Sequence, residues 1–177
     1  MTVDPLLVRQ IKRDEGGPFL SAYPDALSPL AKWATQYSRP WTEGPTNLSG
    51  APWTWAWGHT GPEVYRGYTG TLALAESTLL NDLATHNLLL SLVLPWTVTL
   101  DPPRLRVLQN MIYNLGWDNP KTPAHEGLSG FTTFLGLVQR GSFGQAANDL
   151  ATTLWARQVK TRAVRLEQQL RTGVDVL

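Results

Sequence analysis

The chain contains no cysteine, only two methionines and only three histidines among its 177 residues. The missing cysteine excludes disulfide bonds, thiol nucleophiles and thiolate metal ligands. Net charge is also small, with 15 Lys and Arg against 14 Asp and Glu, so the overall charge does not predict a nucleic-acid or membrane partner. The longest apolar run, residues 88–94, is broken by Ser91, whereas a membrane-spanning helix needs about 20 apolar residues.

The first residues lack the basic and apolar blocks of a secretory signal peptide, so we expect the protein to remain in the cytoplasm where it is made. An apolar content of 42% with 16% charged residues predicts a globular chain, and its length suits one domain, with or without two lobes. Charge is uneven only between Trp155 and Arg171, where five basic residues stand against Glu167 alone. A solvated helix face is the favoured explanation, and an anionic polymer partner is the alternative.

Helical patterns occupy the N-terminus and the C-terminal part of the chain. Asp4-Pro5 is a start signal and Gly16-Gly17-Pro18 a stop signal, which predicts a helix over 4–15. A leucine stripe predicts a long helix over 71–94, and Asp101-Pro102-Pro103 begins another that ends at Gly116. Shorter helices are expected over 131–139, 143–155 and 161–171.

The segment between these helical regions is rich in Gly, Pro, Ser, Thr and aromatic residues. No helical period is sustained there, so we expect short strands and loops, with residues 53–57 as the best strand. Within it, residues 26–52 are expected to form a long irregular loop.

Glu15 and the run Thr54-Trp55-Ala56-Trp57-Gly58-His59-Thr60-Gly61 carry the strongest indication of chemistry. An acid at the C-terminal end of a helix lies at the unfavourable end of the helix dipole, which hints at a functional role. Taken singly, Glu15, Asp25, Thr54 and His59 each have an ordinary structural explanation. If the helix end and the tryptophan-rich strand meet in space, they suit a carbohydrate-cleaving cleft.

Three segments together resemble the active-site region of the phage-type lysozymes, the muramidases of glycoside hydrolase family 24. They are Lys12-Arg13-Asp14-Glu15-Gly16, Tyr23-Pro24-Asp25 and the run 54–61. The resemblance continues in family order through motifs at 110–116, 130–132, 146–155, 161–163 and 171–173, and covers nearly the whole chain except residues 26–52. It implies a single lysozyme-like domain over 1–177, mostly helical α+β and two-lobed. The implied parts are a small β-rich lobe over about 15–70, a connecting helix over 71–94, and a helical lobe over 95–177 on which helix 4–15 packs.

The resemblance implies a role for each matching residue. Glu15 matches the general acid, Asp25 the second carboxylate and Thr54 the hydroxyl that helps to hold the attacking water, in an inverting reaction. Arg162 matches an arginine that reaches the catalytic glutamate. The remaining matches are a structural His59–Asp82 ion pair and four sugar-contacting positions, namely Thr60, Tyr113, Phe134 and Asp149.

The chain departs from the family pattern in two places. Between Asp25 and Thr54 there are 28 residues, far more than the family has. The insertion makes Glu43 an alternative second carboxylate, and its aromatics Trp33, Tyr37 and Trp41 suit either sugar rings or the insertion's own small core. Ala56 stands where the family prefers glycine, so the strand is expected to be slightly altered or the cleft floor narrower.

The leading functional prediction is an endolysin that cleaves the β-1,4 bond between N-acetylmuramic acid and N-acetylglucosamine in peptidoglycan. Two other classes stay open: a non-catalytic glycan-binding or virion structural module, and a lytic transglycosylase, which would need the glutamate but not the aspartate. Peptidoglycan is the expected partner, with a holin-type membrane-permeabilising protein for access from the host cytoplasm, or a place in the virion. We expect a monomer, with no metal or organic cofactor.

Overall fold

The computed structural model describes residues 3–118 and 127–177, and within them it is a mostly helical α+β structure, as predicted. The helices in these ranges are α1 (Pro5–Glu15), α2 (Pro29–Tyr37), α3 (Leu72–Val93), α4 (Pro102–Leu115), α5 (Thr132–Gln139), α6 (Phe143–Thr152), α7 (Leu154–Val159) and α8 (Thr161–Thr172). Strands β1 (Phe19–Pro24) and β2 (Trp53–Ala56) form an antiparallel sheet. Short 3₁₀ turns lie at Trp41–Glu43, Pro95–Thr99 and Leu128–Gly130.

The chain divides into two compact units. The helical unit comprises Met1–Gln10 and Leu83–Leu177, and the strand unit comprises Ile11–Asp82. Helices α1 and α3 therefore contribute residues to both. No helix over 3–118 or 127–177 combines the length and the apolar character needed to cross a lipid bilayer.

Helix α4 forms the centre of the helical unit. Its residues Val107, Leu108, Met111 and Ile112 are fully buried, at the spacing that one face of an α-helix requires. The side chain of Asp101 caps the helix by accepting the N–H of Arg104 at 3.0 Å. The start and stop signals therefore predicted α4 correctly, and α1 and α3 also begin and end within a residue of their predicted bounds.

The single helix predicted over 143–155 was wrong, because the chain breaks into α6 and α7. Thr153 has an extended backbone, with φ −70° and ψ 154°, and its hydroxyl accepts the N–H of Ala156 at 3.1 Å. An N-cap hydroxyl of this kind starts a new helix. The apolar spacing continues across the break, so periodicity alone did not reveal it.

The insertion at 26–52 is not the irregular loop that was predicted, since it contains α2 and a 3₁₀ turn. The side chain of Ser28 caps α2 by accepting the N–H of Ala31 at 3.2 Å, and Pro29 occupies the first helical position. Serine followed by proline is a helix-start signal. The helix is short, and Leu30 is its only buried residue, which left too little apolar periodicity to detect.

Ala56, at the end of β2, has a φ of +54°, in the left-handed region that favours glycine. A non-glycine residue there costs roughly 1–2 kcal/mol. We expect Ala56→Gly to raise the free energy of unfolding by about 1 kcal/mol in urea denaturation. As a matched control, Ala34→Gly in α2 should lower it by about the same amount. A destabilised Ala56→Gly variant would show that the buried methyl group contributes more than the strain costs.

Candidate active site

The end of α1 meets the turn that follows β2, so the two segments singled out in the sequence do come together within the strand unit. Gly16 ends the helix with a φ of +70°. Gly17 then lies so close to β2 that a Cβ there would stand 2.5 Å from the carbonyl oxygen of Ala56. Only glycine permits this approach, and it brings Glu15 alongside the turn.

Gly58 faces the carboxylate of Glu15. A Cβ at Gly58 would lie 3.4 Å from Glu15 Oε2, and the φ of +94° also favours glycine. Tyr23 of β1 is near the same carboxylate. Burial, and then the negative charge of Glu15, raise the pKa of Tyr23. Glu15 is thus half-buried between a glycine turn and a tyrosine, an arrangement that suits a positioned proton donor.

Asp25 and Thr54 belong to neighbouring parts of the sheet. Tyr23 pairs with Thr54 and Pro24 with Trp53, so Asp25 directly follows the paired end of β1. The backbone N–H of Asp25 donates to the carbonyl oxygens of Gly50 and Pro52, each at 3.1 Å.

The side chain of Asp25 forms a local turn. Its Oδ1 accepts the backbone N–H of Leu27 at 2.7 Å, and the side chain is half-buried. An ionised carboxylate has further acceptor positions beyond this one bond. Asp25 therefore retains the capacity to hold a water molecule.

Glu43, the alternative second carboxylate, lies in the 3₁₀ turn of the insertion. Its side chain is 54% exposed and stands 3.9 Å from Arg39. This is an ordinary surface environment for an acid, and nothing in it resembles the hydrogen-bonded setting of Asp25.

His59 lies between two carboxylates. Its Nδ1 is 2.8 Å from Asp82 Oδ2 and its Nε2 is 2.7 Å from Glu63 Oε1. The hydrogen bond to Asp82 is the main cause that raises the pKa of His59 to about 9; burial opposes it and the bond to Glu63 adds to it. The turn that presents His59 is closed by paired backbone hydrogen bonds with Trp55, each 3.0 Å long.

This raised pKa predicts a pH-dependent stability. Since protonated His59 is favoured in the folded state, its contribution is fully present below the unfolded pKa of about 6.5 and is lost as the pH rises through about 9. A shift of this size corresponds to about 3 kcal/mol. We expect the difference in free energy of unfolding between the wild type and His59→Gln to shrink by that amount across this range in urea titrations. A difference that does not change with pH would contradict the charged pair.

The other predicted site residues have varied surroundings. Thr60 is exposed in the strand unit. In the helical unit, the ring of Tyr113 lies 5.4 Å from that of His86. Asp149 lines a cavity of about 370 Å³ together with Phe131, Thr153, Trp155 and Gln158, among others.

Phe134 and Arg162 are both buried in the helical unit. Phe134 is 0% exposed and belongs to the apolar core, so its side chain offers no surface to a sugar and we do not retain it as a contact. Arg162 is 5% exposed, and its Nε donates to Asn110 Oδ1 at 2.8 Å. The expected approach of Arg162 to Glu15 stays a prediction.

Sequence reasoning missed two neighbours of the site, Tyr23 and Glu63. Glu63 lies four residues after His59, a spacing that predicts a side-chain contact in a helix. Because this segment is a turn and not a helix, the spacing alone did not predict the contact. Tyr23 belongs to the motif that contains Asp25, but its approach to Glu15 was not predicted because it depends on the path of the chain between α1 and β1.

Among residues 3–118 and 127–177 no group of three or more His, Asp or Glu side chains is arranged to hold a metal ion. The family model for phage lysozyme matches residues 41–168. This range includes Thr54 and the His59–Asp82 pair, whereas Glu15 and Asp25 precede it. Because the match covers more than half of the chain, the protein belongs to the phage lysozyme family, whose members hydrolyse peptidoglycan.

Proposed function

We propose that this protein is a muramidase that hydrolyses the β-1,4 bond between N-acetylmuramic acid and N-acetylglucosamine. Glu15 is the general acid, and Asp25 and Thr54 hold and activate the attacking water. The observation that carries the proposal is the meeting of Glu15 with the Gly58 turn, in the same unit in which Asp25 follows β1 and Thr54 lies in the paired strand β2 opposite Tyr23.

The reaction needs two carboxyl groups in different protonation states. Glu15 gives its proton to the bridging oxygen as the bond to the anomeric carbon breaks, so the N-acetylglucosamine leaves as an alcohol. Water attacks that carbon from the opposite face while Asp25 takes its proton. An inverting enzyme needs roughly 6.5–9.5 Å between the two carboxyls to leave room for the water.

The local environments are consistent with these roles. Glu15 is half-buried between the Gly58 turn and Tyr23, which limits its contact with bulk water. Asp25 lies at a sheet end, and while one of its carboxylate oxygens accepts the N–H of Leu27, an ionised carboxylate has further acceptor positions for water.

The products distinguish the proposed reaction from its alternatives. Mass spectrometry of fragments released from purified peptidoglycan should show free reducing muramic acid ends. Anhydro-muramic ends would identify a lytic transglycosylase and remove the need for Asp25. If the folded protein released no fragments, the non-catalytic binding module would be favoured. The endolysin or virion role, a holin-type partner and the monomeric state stay predictions.

Replacing each acid separately tests which one is the second carboxylate. We expect Asp25→Asn to lower the rate of fragment release by about 10²-fold or more, because the amide cannot accept the proton of the water. Glu43→Gln, which changes an exposed acid of the same unit, should leave the rate unchanged. The reverse result would move the role from Asp25 to Glu43.

A further inference from the structure

The aromatic residues of the insertion at 26–52 take part in two ring pairs with different surroundings, one of them with Trp53 of β2. Trp41 lies edge-on against Trp53, with ring centroids 5.5 Å apart. Leu30 is fully buried and packs against the backbone of Gly44, where a Cβ would stand 2.4 Å from Leu30 Cδ1. These contacts supply the small core that the insertion needs. For Trp41, these contacts favour the explanation in which the aromatic residues form the insertion's own small core.

The second pair, Trp33 and Tyr37, lies on one side of α2, where Trp33 is half-buried against Gly44 and Tyr37 is exposed. Their centroids are also 5.5 Å apart, with 39° between the ring planes, yet Tyr37 keeps 57% of its surface exposed. Residues four apart lie on the same side of a helix, so the two rings form one continuous stripe. The exposed ring of Tyr37 and the accessible part of Trp33 together offer a flat apolar surface of the kind that stacks on sugar rings.

Polar groups flank the aromatic stripe. Lys32 and Gln36, each one residue before an aromatic, form the neighbouring stripe of α2, and both are exposed. We call these four residues the α2 face. An aromatic ring suits the apolar C–H side of a sugar, while the amide can exchange hydrogen bonds with hydroxyl and N-acetyl groups. The ammonium group complements the carboxylates of the peptides that peptidoglycan carries.

The α2 face is held firmly in the strand unit. The N–H of Leu30 donates to Ser49 O at 3.0 Å. Arg66 donates to three carbonyl oxygens of the insertion, those of Thr42, Gly44 and Pro45, at 3.0–3.3 Å. A surface ordered before binding loses little conformational entropy when it binds.

The base of the insertion is tied to the candidate active site. The N–H of Asp25 closes the insertion by donating to the carbonyl oxygens of Gly50 and Pro52 at 3.1 Å, and α2 begins four residues later. Asp25 and the α2 face are therefore joined by a short, hydrogen-bonded stretch of the strand unit.

We propose that the α2 face is an additional subsite that binds the saccharide strand of peptidoglycan away from the bond that is cleaved. The identity of this ligand rests on the proposed function. The face supplies affinity and takes no part in the chemical step.

The test measures binding of the full-length chain to purified insoluble peptidoglycan by co-sedimentation, with Glu15→Gln present throughout to prevent hydrolysis. We expect Tyr37→Ala to weaken binding about threefold to tenfold, as the loss of one aromatic contact implies. Tyr37→Phe keeps the ring and should retain binding. Tyr65→Ala, which removes a tyrosine of the same unit that is 61% exposed, should bind like the parent. Unchanged binding by Tyr37→Ala would overturn the proposal.

Kinetics with Glu15 intact supply an independent readout. Tyr37→Ala should raise KM for peptidoglycan by about the same factor and leave kcat unchanged, because the face contributes only uniform binding. A fall in kcat without a change in KM would overturn the subsite, since it would mean that α2 acts by positioning Asp25. Unchanged circular dichroism and Tm identify the variants that are folded.

Failure of this inference can be told apart from failure of the proposed function. If the wild type releases reducing muramic acid ends but Tyr37→Ala binds normally, the subsite is overturned and the muramidase stands. If the wild type releases no fragments but its retention on peptidoglycan depends on Tyr37, the muramidase fails and the saccharide-binding face is supported.

Discussion

Glu15→Gln should fold normally and release peptidoglycan fragments about 10²–10⁴-fold more slowly than the wild type, or not at all. The substitution keeps the shape of the side chain beside Gly58 but removes the proton that the leaving oxygen needs. Without that proton, the departing sugar must leave as an alkoxide. The comparison requires initial rates of fragment release from purified peptidoglycan at saturating substrate.

Glu76→Gln is the matched control for Glu15→Gln. Glu76 is another acid of the strand unit, its side chain is 50% exposed, and it pairs with Lys12 at 2.7 Å. An exposed pair of this kind contributes little, so this variant should keep wild-type activity and stability. If Glu15→Gln kept its activity, another group would have to donate the proton.

The variant Asp4→Asn/Asp175→Asn should lose about 3–5 kcal/mol of stability, because it leaves the buried charge of Arg106 uncompensated. Arg106 of α4 is 5% exposed. It contacts Asp4, before α1, and makes a bidentate pair with Asp175, with Nε–Oδ1 at 2.8 Å and Nη2–Oδ2 at 2.5 Å. These pairs tie both ends of the chain to the centre of the helical unit.

The design of this variant separates the charge effect from other losses. Asn at position 4 keeps an oxygen to cap α1, where Asp4 Oδ1 now accepts the N–H of Leu6 at 2.8 Å. Calorimetry should show Tm lowered by about 10 °C. Adding Arg106→Leu should recover much of the loss, since an apolar side chain has no charge to desolvate. A third substitution that destabilises the protein further would mean that Arg106 acts mainly through packing.

Much of the helical framework was predictable because its signals are local. In α1 and α4 an aspartate accepts a backbone N–H two or three residues later, proline follows it, and glycine comes directly after the last helical residue. These interactions lie within a few residues of each other, so their energies are nearly the same in any fold that contains the helix.

The elements that were mispredicted also have local caps, but their apolar periodicity is weak or misleading. Helix α2 has a serine cap but buries only Leu30, and the break at Thr153 interrupts an apolar pattern that reads as continuous. In both cases one hydroxyl group determines where a helix begins. The apolar periodicity is too weak to indicate α2, and it predicts one continuous helix where α6 and α7 are separate.

By itself the sequence determined the helical class, the cap and stop residues, and the chemical types placed at Glu15, Asp25 and Thr54. Only the tertiary structure decided that Glu15 faces Gly58, that Glu63 joins Asp82 on His59, and that Arg106 meets a carboxylate 102 residues away in the chain. It also decided which aromatic residues of the insertion are covered and that Tyr37 is exposed. The physical reason is that capping is settled among neighbours in the chain, whereas burial and ion pairing depend on where distant segments pack.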